Sequence, residues 1–338
     1  MKDKKVLVTG GAGFIGSSLV RQLAGQGADV TVVDNLVNGR EENLAEALSD
    51  RVRLEVADIR DRREMTRLLA GVDIVYHLAC LGVRHSIHDP EENHAVNATA
   101  TLDLLRISRE RNVGRFVYVS SSEVYGTARW APMTEEHPTF PMTVYGAAKL
   151  AGDCYTRAFF ETYGYPTVVV RPFNAFGPRC HHEGDSGEVI PKFMLRSMAN
   201  QPMVVFGDGT QTRDFTYVDD TAAGILLAGT QEAAVGRTIN LGCGSEITIN
   251  DLAQTIAQVT GRPEAEISRI EPRPGDVLRL CADATKGVEI LGFQPRTSLR
   301  DGLQKLSDWY RSQGTTAEEL LEAETVRNWE NPEPARGR

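Results

Sequence analysis

Tyr145 and Lys149 stand four apart at the start of a helical stretch, YGAAK, so their side chains share one helix face a turn apart. An ammonium beside a phenol favours the phenolate and lowers its pKa towards the working range. Such a tyrosine can take a proton from a hydroxyl while hydride leaves the same carbon. YxxxK is common by chance, and it gains meaning from what lies upstream. Gly10, Gly13 and Gly16 follow a strand directly and open a helix. The first permits a tight turn, the second lets a pyrophosphate approach the backbone, and the third lets helix pack on strand, with the helix N-terminus favouring the phosphates. Asp34 ends the next strand, where a carboxylate grips a ribose 2′-hydroxyl and repels a 2′-phosphate, so the pattern favours NAD over NADP. Asp58, ending the third strand, is either an adenine contact or a simple strand-end cap.

These groups need a frame, and the apolar runs supply it. KVLVT (5–9), VTVVD (30–34), VRLEVAD (52–58), VDIVYHLA (72–79), FVYVSS (116–121) and TVVVRPF (167–173) read as strands separated by helical stretches. Runs this continuous suit strands covered on both faces, and the β/α alternation predicts a doubly wound parallel sheet of Rossmann type with six or seven strands. After Phe176 the texture changes to a glycine-rich polar segment (GPRCHHEGDSGE) and then short elements, read as a smaller C-terminal α/β substrate-binding lid. The expected division is a cofactor domain over 1–176, a substrate domain over 177–314 with some segments returning to the core, and a C-terminal helix (TAEELLEAETVRNWE) with a peripheral polar tail over 315–338.

The 338 residues suit one large α/β unit with a smaller companion, and 41% hydrophobic against 25% charged residues is ordinary for a globular chain. The net charge of −9 argues against general nucleic-acid binding, although local arginines can still hold an anionic substrate. No export signal or membrane-spanning run is visible, and five scattered cysteines without a CxxC pair fit reduced thiols; the expectation is a cytoplasmic protein. His181, His182 and Glu183 invite a metal reading, but adjacent histidines should point apart and no further ligand is suitably spaced, so no metal is expected. Cys80 is read either as pocket lining or as a small apolar filler.

Taken together, VTGGAGFIG, the DN at 34–35, the HLA at 77–79, SSSEVYG (120–126), YGAAK (145–149), RPFNAFGPR (171–179), GDGTQTRDFTYVDD (207–220) and RPGD (273–276) resemble the extended short-chain dehydrogenase/reductases, specifically the NAD-dependent nucleotide-sugar epimerase/dehydratase family. The resemblance runs over roughly residues 5–312. It implies a triad of Ser121, Tyr145 and Lys149, with Ser121 on the sugar 4-hydroxyl. It implies cofactor contacts from Phe14, Ile15, Asn35, Ile59, Leu78 and Ala79 beside the residues already named. Asn174 and Arg213 would grip the nucleotide diphosphate, with Val189, Arg273 and Asp276 as further substrate contacts, since a pyrophosphate needs arginines and donors. A homodimer through the helices around 98–112 and 147–163 is implied as well.

Which reaction follows turns on the neighbours of the triad. Oxidation at C4 acidifies the C5 proton, and the resemblance makes Glu123 a C5 base of the 4,6-dehydratase type; the bland reading is a carboxylate in a polar pocket. Glucose-type dehydratases also carry an aspartate acid just before it, whereas this chain has Ser122, a pairing closer to mannose-type dehydratases and uronic-acid decarboxylases. The decarboxylase arginine falls at Leu280, with Arg279 adjacent. LGVRHS (81–86) resembles an epimerase loop, in which Arg84 or His85 contacts the sugar or a C6 carboxylate, or Arg84 simply faces solvent or phosphate. The expectation leans slightly to dehydration of a UDP- or related nucleotide-hexose. The alternatives are a nucleotide-sugar 4-epimerase of the UDP-glucose or UDP-glucuronate type and, further off, UDP-glucuronate decarboxylation or an NAD(P)H-dependent keto-sugar reductase.

Overall fold

A computed structural model describes residues 1–184, 186–273 and 276–328. The first half runs β1 (Lys5–Thr9), α1 (Phe14–Gly25), β2 (Asp29–Asp34), β3 (Val52–Val56), α2 (Arg62–Leu68) and β4 (Ile74–His77). It continues through α3 (His85–His88), α4 (Pro90–His94), α5 (Ala100–Glu110), β5 (Arg115–Val119), α6 (Val144–Tyr163) and β6 (Thr167–Pro172). The second half holds β7 (Asn174–Phe176), α7 (Val189–Met198), β8 (Met203–Phe206), β9 (Thr212–Arg213), β10 (Phe215–Tyr217), α8 (Val218–Thr230) and β11 (Thr238–Leu241). Beyond it come β12 (Ile247–Thr248), α9 (Ile249–Val259), β13 (Ile267–Ile270), α10 (Leu299–Ser312) and α11 (Ala317–Leu321).

Seven strands form one parallel sheet in the order β11-β6-β5-β4-β1-β2-β3. The period-2 alternation of each strand sends successive apolar side chains to opposite faces. Val6, Val8, Val30, Val32, Val117 and Val168 pack with α1 and α8, while Leu7, Val33, Val75, Phe116 and Val169 pack with α2 and α5. Helices on both faces are what continuous apolar strands require. The seventh strand, β11, is a segment of the second half that returns to the core and pairs with β6. One detail differs from the sequence reading: β3 is an edge strand whose Val56 is exposed rather than covered.

The segments after Phe176 build a separate apolar cluster from α7, β8, β10, α9 and α10, onto which Ala317, Leu320 and Leu321 of α11 pack. Among the described residues of the acidic helix expected over 316–330, only the five of α11 are helical, closed at their start by a Thr316–Glu319 capping box. The chain then leaves the helix as a strap: Glu324 pairs in a parallel bridge with Gly184, and Asn328 donates from Nδ2 to the Gly187 carbonyl at 3.2 Å. Residues 329–338, including the polar tail, lie outside the described residues. Among the described residues no helix is long and apolar enough to cross a membrane.

Candidate active site

The sheet order reverses between β1 and β4, and a parallel sheet opens a crevice outside its strand ends at such a point. A cavity of about 560 Å³ occupies it, and every catalytic, cofactor and substrate residue proposed from the sequence lies on its wall. At one end are Gly10, Gly13, Phe14, Ile15 and Gly16 after β1, Asp34 and Asn35 after β2, Asp58 and Ile59 after β3, and Leu78 and Ala79 after β4.

This end fits a dinucleotide. A Cβ at Gly16 would collide with the Gly10 carbonyl oxygen, so glycine there lets α1 start hard against the β1 turn. The Gly13 N-cap has no side chain to offer the first-turn amides of α1, and no acidic residue stands in that turn; those donors face the cavity uncompensated. Asp34 is buried and fixed, its oxygens accepting from the Ala12 amide (3.0 Å) and the Leu36 amide (2.9 Å). Burial raises its pKa, and those two amides pull it back. Asp58 is both cavity wall and anchored cap: Arg60 donates to it from Nε (2.9 Å) and a terminal nitrogen (2.7 Å), and Asn35 from Nδ2 (3.2 Å). The Arg60 hydrogen bonds hold its carboxyl down at about 2.

The triad lies midway along the cavity. Ser121 ends β5 and caps the short turn 122–124, its hydroxyl accepting the Glu123 amide at 3.2 Å and hydrogen-bonding the Tyr145 phenol. Thr143, which the sequence reading missed, caps α6 by accepting the Gly146 amide at 3.0 Å. A Cβ on Gly146 would sit 2.8 Å from the Glu123 carbonyl oxygen, so the glycine of YGAAK lets the tyrosine helix abut the Glu123 turn. The expected lysine–phenol effect is not what the side chains do. Lys149 is buried and donates from Nζ to the Val119 carbonyl at 2.6 Å, its ammonium 4.5 Å above the Tyr118 ring. Burial lowers the lysine's pKa and pushes the Tyr145 phenol well above its ordinary value, with Cys80 adding to the rise and Ser121 opposing it. Cys80 is exposed on the cavity wall, so it is lining and not filler.

Glu123 faces the same cavity; its desolvation raises the carboxyl's pKa, against the pull of Arg213 and Arg84. Arg84 also lines the cavity and is not a solvated surface arginine; desolvation brings it down to about 10. Its loop is held from the helix turns behind it: Asn97 accepts the Leu81 amide (2.9 Å) and donates to the Leu81 carbonyl (2.9 Å), and Asn93 donates to the Leu81 and Gly82 carbonyls (both 3.1 Å). Asn97 sits in a π-turn between α4 and α5, a distortion common at working sites.

At the far end, Arg213 donates to Asp276 at 2.8 Å, and Arg273 lies 3.8 Å from the same carboxylate. Asp276 therefore orders the two arginines, and neighbouring Pro274 and Gly275 lie outside the described residues. Asn174 Oδ1 and Arg273 Nε are buried without a hydrogen-bond partner among the described residues, polar atoms that a phosphate-bearing or hydroxylated ligand could satisfy. Val189 and Phe206 add apolar wall, and Arg273 stands over the Phe206 ring. Sequence reasoning also missed Glu188, Lys192, Arg196 and the strap residues Glu324, Val326 and Asn328 on this wall.

At the position of the decarboxylase arginine, Leu280 is buried in an apolar cluster, and adjacent Arg279 is half-exposed, bound to Glu246 through Nε at 2.9 Å, and not on the cavity wall. One further expectation is corrected: His181 and His182 do not point apart, since both Nδ1 atoms lie 3.3 Å from Glu183 oxygens, and Arg40 pairs with that carboxylate at 2.6 Å. Among the described residues no group of three or more His, Cys, Asp or Glu is arranged to hold a metal ion.

Comparison with known proteins points the same way. Residues 6–242 match the model of the "NAD dependent epimerase/dehydratase family". The chain is 36% identical over 313 residues to UDP-glucose 4-epimerase of Mycolicibacterium smegmatis, covering 91% of this chain and 99% of that one. It is 36% identical over 319 residues to dTDP-glucose 4,6-dehydratase of an Actinoplanes species, covering 91% and 98%. Its fold matches the structure of a dTDP-glucose 4,6-dehydratase from Streptomyces venezuelae solved with NAD bound, at a TM-score of 0.86, 34% identity, and coverage of 91% and 97%. With a helix N-terminus and carboxylate built for a dinucleotide, and a Ser–Tyr–Lys set beside them, the chain is an NAD-dependent enzyme of the epimerase/dehydratase family.

Proposed function

We propose that the enzyme oxidises C4 of a nucleotide-hexose, UDP being the favoured carrier, and then removes water across C5 and C6. NAD held there would supply the hydride acceptor for C4 and the hydride that returns to the same sugar. Ser121 positions the 4-hydroxyl and Tyr145 accepts its proton, with Lys149 fixed behind them against the β5 end. Arg213, Arg273 and Asn174 hold the diphosphate end, and Asp34 with the α1 N-terminus holds the adenosine half.

The observation that carries the dehydratase reading is Glu123. Its carboxyl is desolvated on the cavity wall, next to the serine that bonds Tyr145, and its pKa is raised as a base for a carbon acid requires. Incubating the enzyme in deuterated water with UDP-, GDP- and dTDP-hexoses tests it: deuterium at C5 with loss of the 6-hydroxyl supports the reading. C4 inversion without exchange at C5 contradicts it. That outcome is the 4-epimerase reading, which the equal similarity to a UDP-glucose 4-epimerase and the inward-facing Arg84 favour as the second choice. Decarboxylation loses ground because Arg279 is engaged with Glu246 away from the cavity.

The exposed sides of α5 and α6, with Leu102 uncovered and Arg109 stacked on Tyr163 at 4.2 Å, suit pairing with a second copy of the chain. We place the enzyme in the cytoplasm, where five free thiols are stable.

A further inference from the structure

Hydroxide is a poor leaving group, so loss of a C6 hydroxyl needs a proton donor as well as a base at C5. Ser122 cannot be that donor, since an unactivated hydroxyl is far too weak an acid. Most acidic or basic groups on the cavity wall are already engaged. Asp276 is tied to Arg213 and Arg273, and Glu324 to Arg196. Glu92 is tied to Arg60 and His85, and Lys192 Nζ donates to the Thr325 carbonyl at 2.7 Å. His181 leans on Glu183.

Glu188 stands apart. It is the N-cap of α7, yet its side chain caps no amide of that helix. Its backbone is fixed instead: its amide donates to the His181 carbonyl at 2.9 Å, which closes the loop ahead of α7. Among the described residues its carboxyl makes no hydrogen bond or ion pair, and it opens onto the cavity. Glu188 and Glu123 line the same cavity, and Arg84 and the Tyr145 phenol line it with them. We propose that Glu188 is the catalytic acid that protonates the departing C6 oxygen while Glu123 takes the C5 proton.

This inference rests on the dehydratase reading. After C4 has become a ketone, the C5–H bond breaks and its proton goes to the Glu123 carboxylate. The electron pair forms the C5–C6 double bond, the C6–O bond breaks, and the oxygen leaves as water with the Glu188 proton. The double bond is then reduced at C6 by the hydride taken from C4, C5 receives a proton from Glu123 after that carboxyl has exchanged with solvent, and Glu188 is reprotonated from solvent. Burial supports the assignment, because it raises the Glu188 carboxyl to about 7, against the pull of His181 and Arg84.

The test compares wild type with Glu188→Gln in deuterated water, using a UDP-hexose turned over by wild type and its 6-deoxy-6-fluoro analogue. Wild type giving C5-deuterated 6-deoxy-4-keto product supports the parent reading; C4 inversion alone overturns that reading and this assignment together. In the variant we expect C5 exchange to persist, loss of the 6-hydroxyl to slow by about 10²- to 10⁴-fold, and loss of fluoride, which needs little acid help, to stay near the wild-type rate. Hydroxyl loss within a few-fold of wild type overturns the assignment while the reading stands. So does an equal slowing of both leaving groups, the mark of a merely structural role. If the glutamine variant does not fold, Glu188→Asp carries the same comparison, with hydroxyl loss expected to slow more than fluoride loss.

Discussion

At the scale of single residues, the site separates groups by what their surroundings do to a charge. Burial raises the Tyr145 phenol and the Ser121 hydrogen bond opposes that rise, and Tyr145→Phe should abolish turnover while leaving nucleotide binding intact. Isothermal titration with a nucleoside diphosphate beside a turnover assay checks both halves; near-normal turnover would sink the mechanism. Asp34 anchors the glycine loop as well as facing the ribose, and Asp34→Asn should weaken NAD binding about 10- to 100-fold, the cost of losing charge-assisted hydrogen bonds, as read by fluorescence titration. Glu188 makes a pH prediction. Its neighbours Arg84 and His181 favour its charged form and Glu183 opposes it, while the Cys180 thiol and Tyr310 phenol nearby stay neutral. An acid works only while protonated, so single-turnover elimination should fall as pH rises through about 7, and Glu188→Gln should lack that limb. The triad was legible because its members lie close in sequence and their spacing carries the chemistry. Glu188 was not, because GEVIPKF reads as an ordinary exposed helix start until folding turns it inward.

At the scale of elements, the helix that carries Tyr145 and Lys149 is pinned to the sheet by a buried charge network. Arg171 of β6 donates from Nε to Asp153 of α6 at 2.8 Å and from a terminal nitrogen to the Tyr125 hydroxyl at 2.8 Å, which in turn donates to Asn240 of β11 at 2.7 Å. Removing one partner leaves a buried charge uncompensated, so Arg171→Leu should cost about 3–5 kcal/mol in a urea unfolding titration. Replacing both Arg171 and Asp153 with leucine should cost less than the single change. The inner strands were readable from their apolar runs, whereas β11 was not: TINL is four residues long, and only its partner β6, far upstream, marks it as part of the sheet. The long acidic helix failed for a related reason. Its pattern TAEELLEAETVRNWE favours helix locally, but Lys192 holds Thr325, Arg196 holds Glu324, and Gly184 and Gly187 hold Glu324 and Asn328, outside any helix.

At the scale of the whole molecule, that capture makes the C-terminal strap part of the catalytic cavity. Ending the chain after Gly314 should lower the thermal midpoint, because the apolar face of α7 loses its cover. It should raise KM for the nucleotide-sugar more than it lowers kcat, because Glu324, Val326 and Asn328 leave the substrate wall and not the triad. Sedimentation should give twice the 37.1 kDa chain mass if α5 and α6 pair between copies. The central claim is that hydride leaves the sugar at C4 and returns to it at C6, and a tracer tests that most directly. A nucleotide-hexose substrate carrying deuterium at C4 should yield a product whose label sits in the C6 methyl group, with no accumulation of reduced cofactor. Label retained on an inverted C4, or released into free reduced cofactor, would contradict the account.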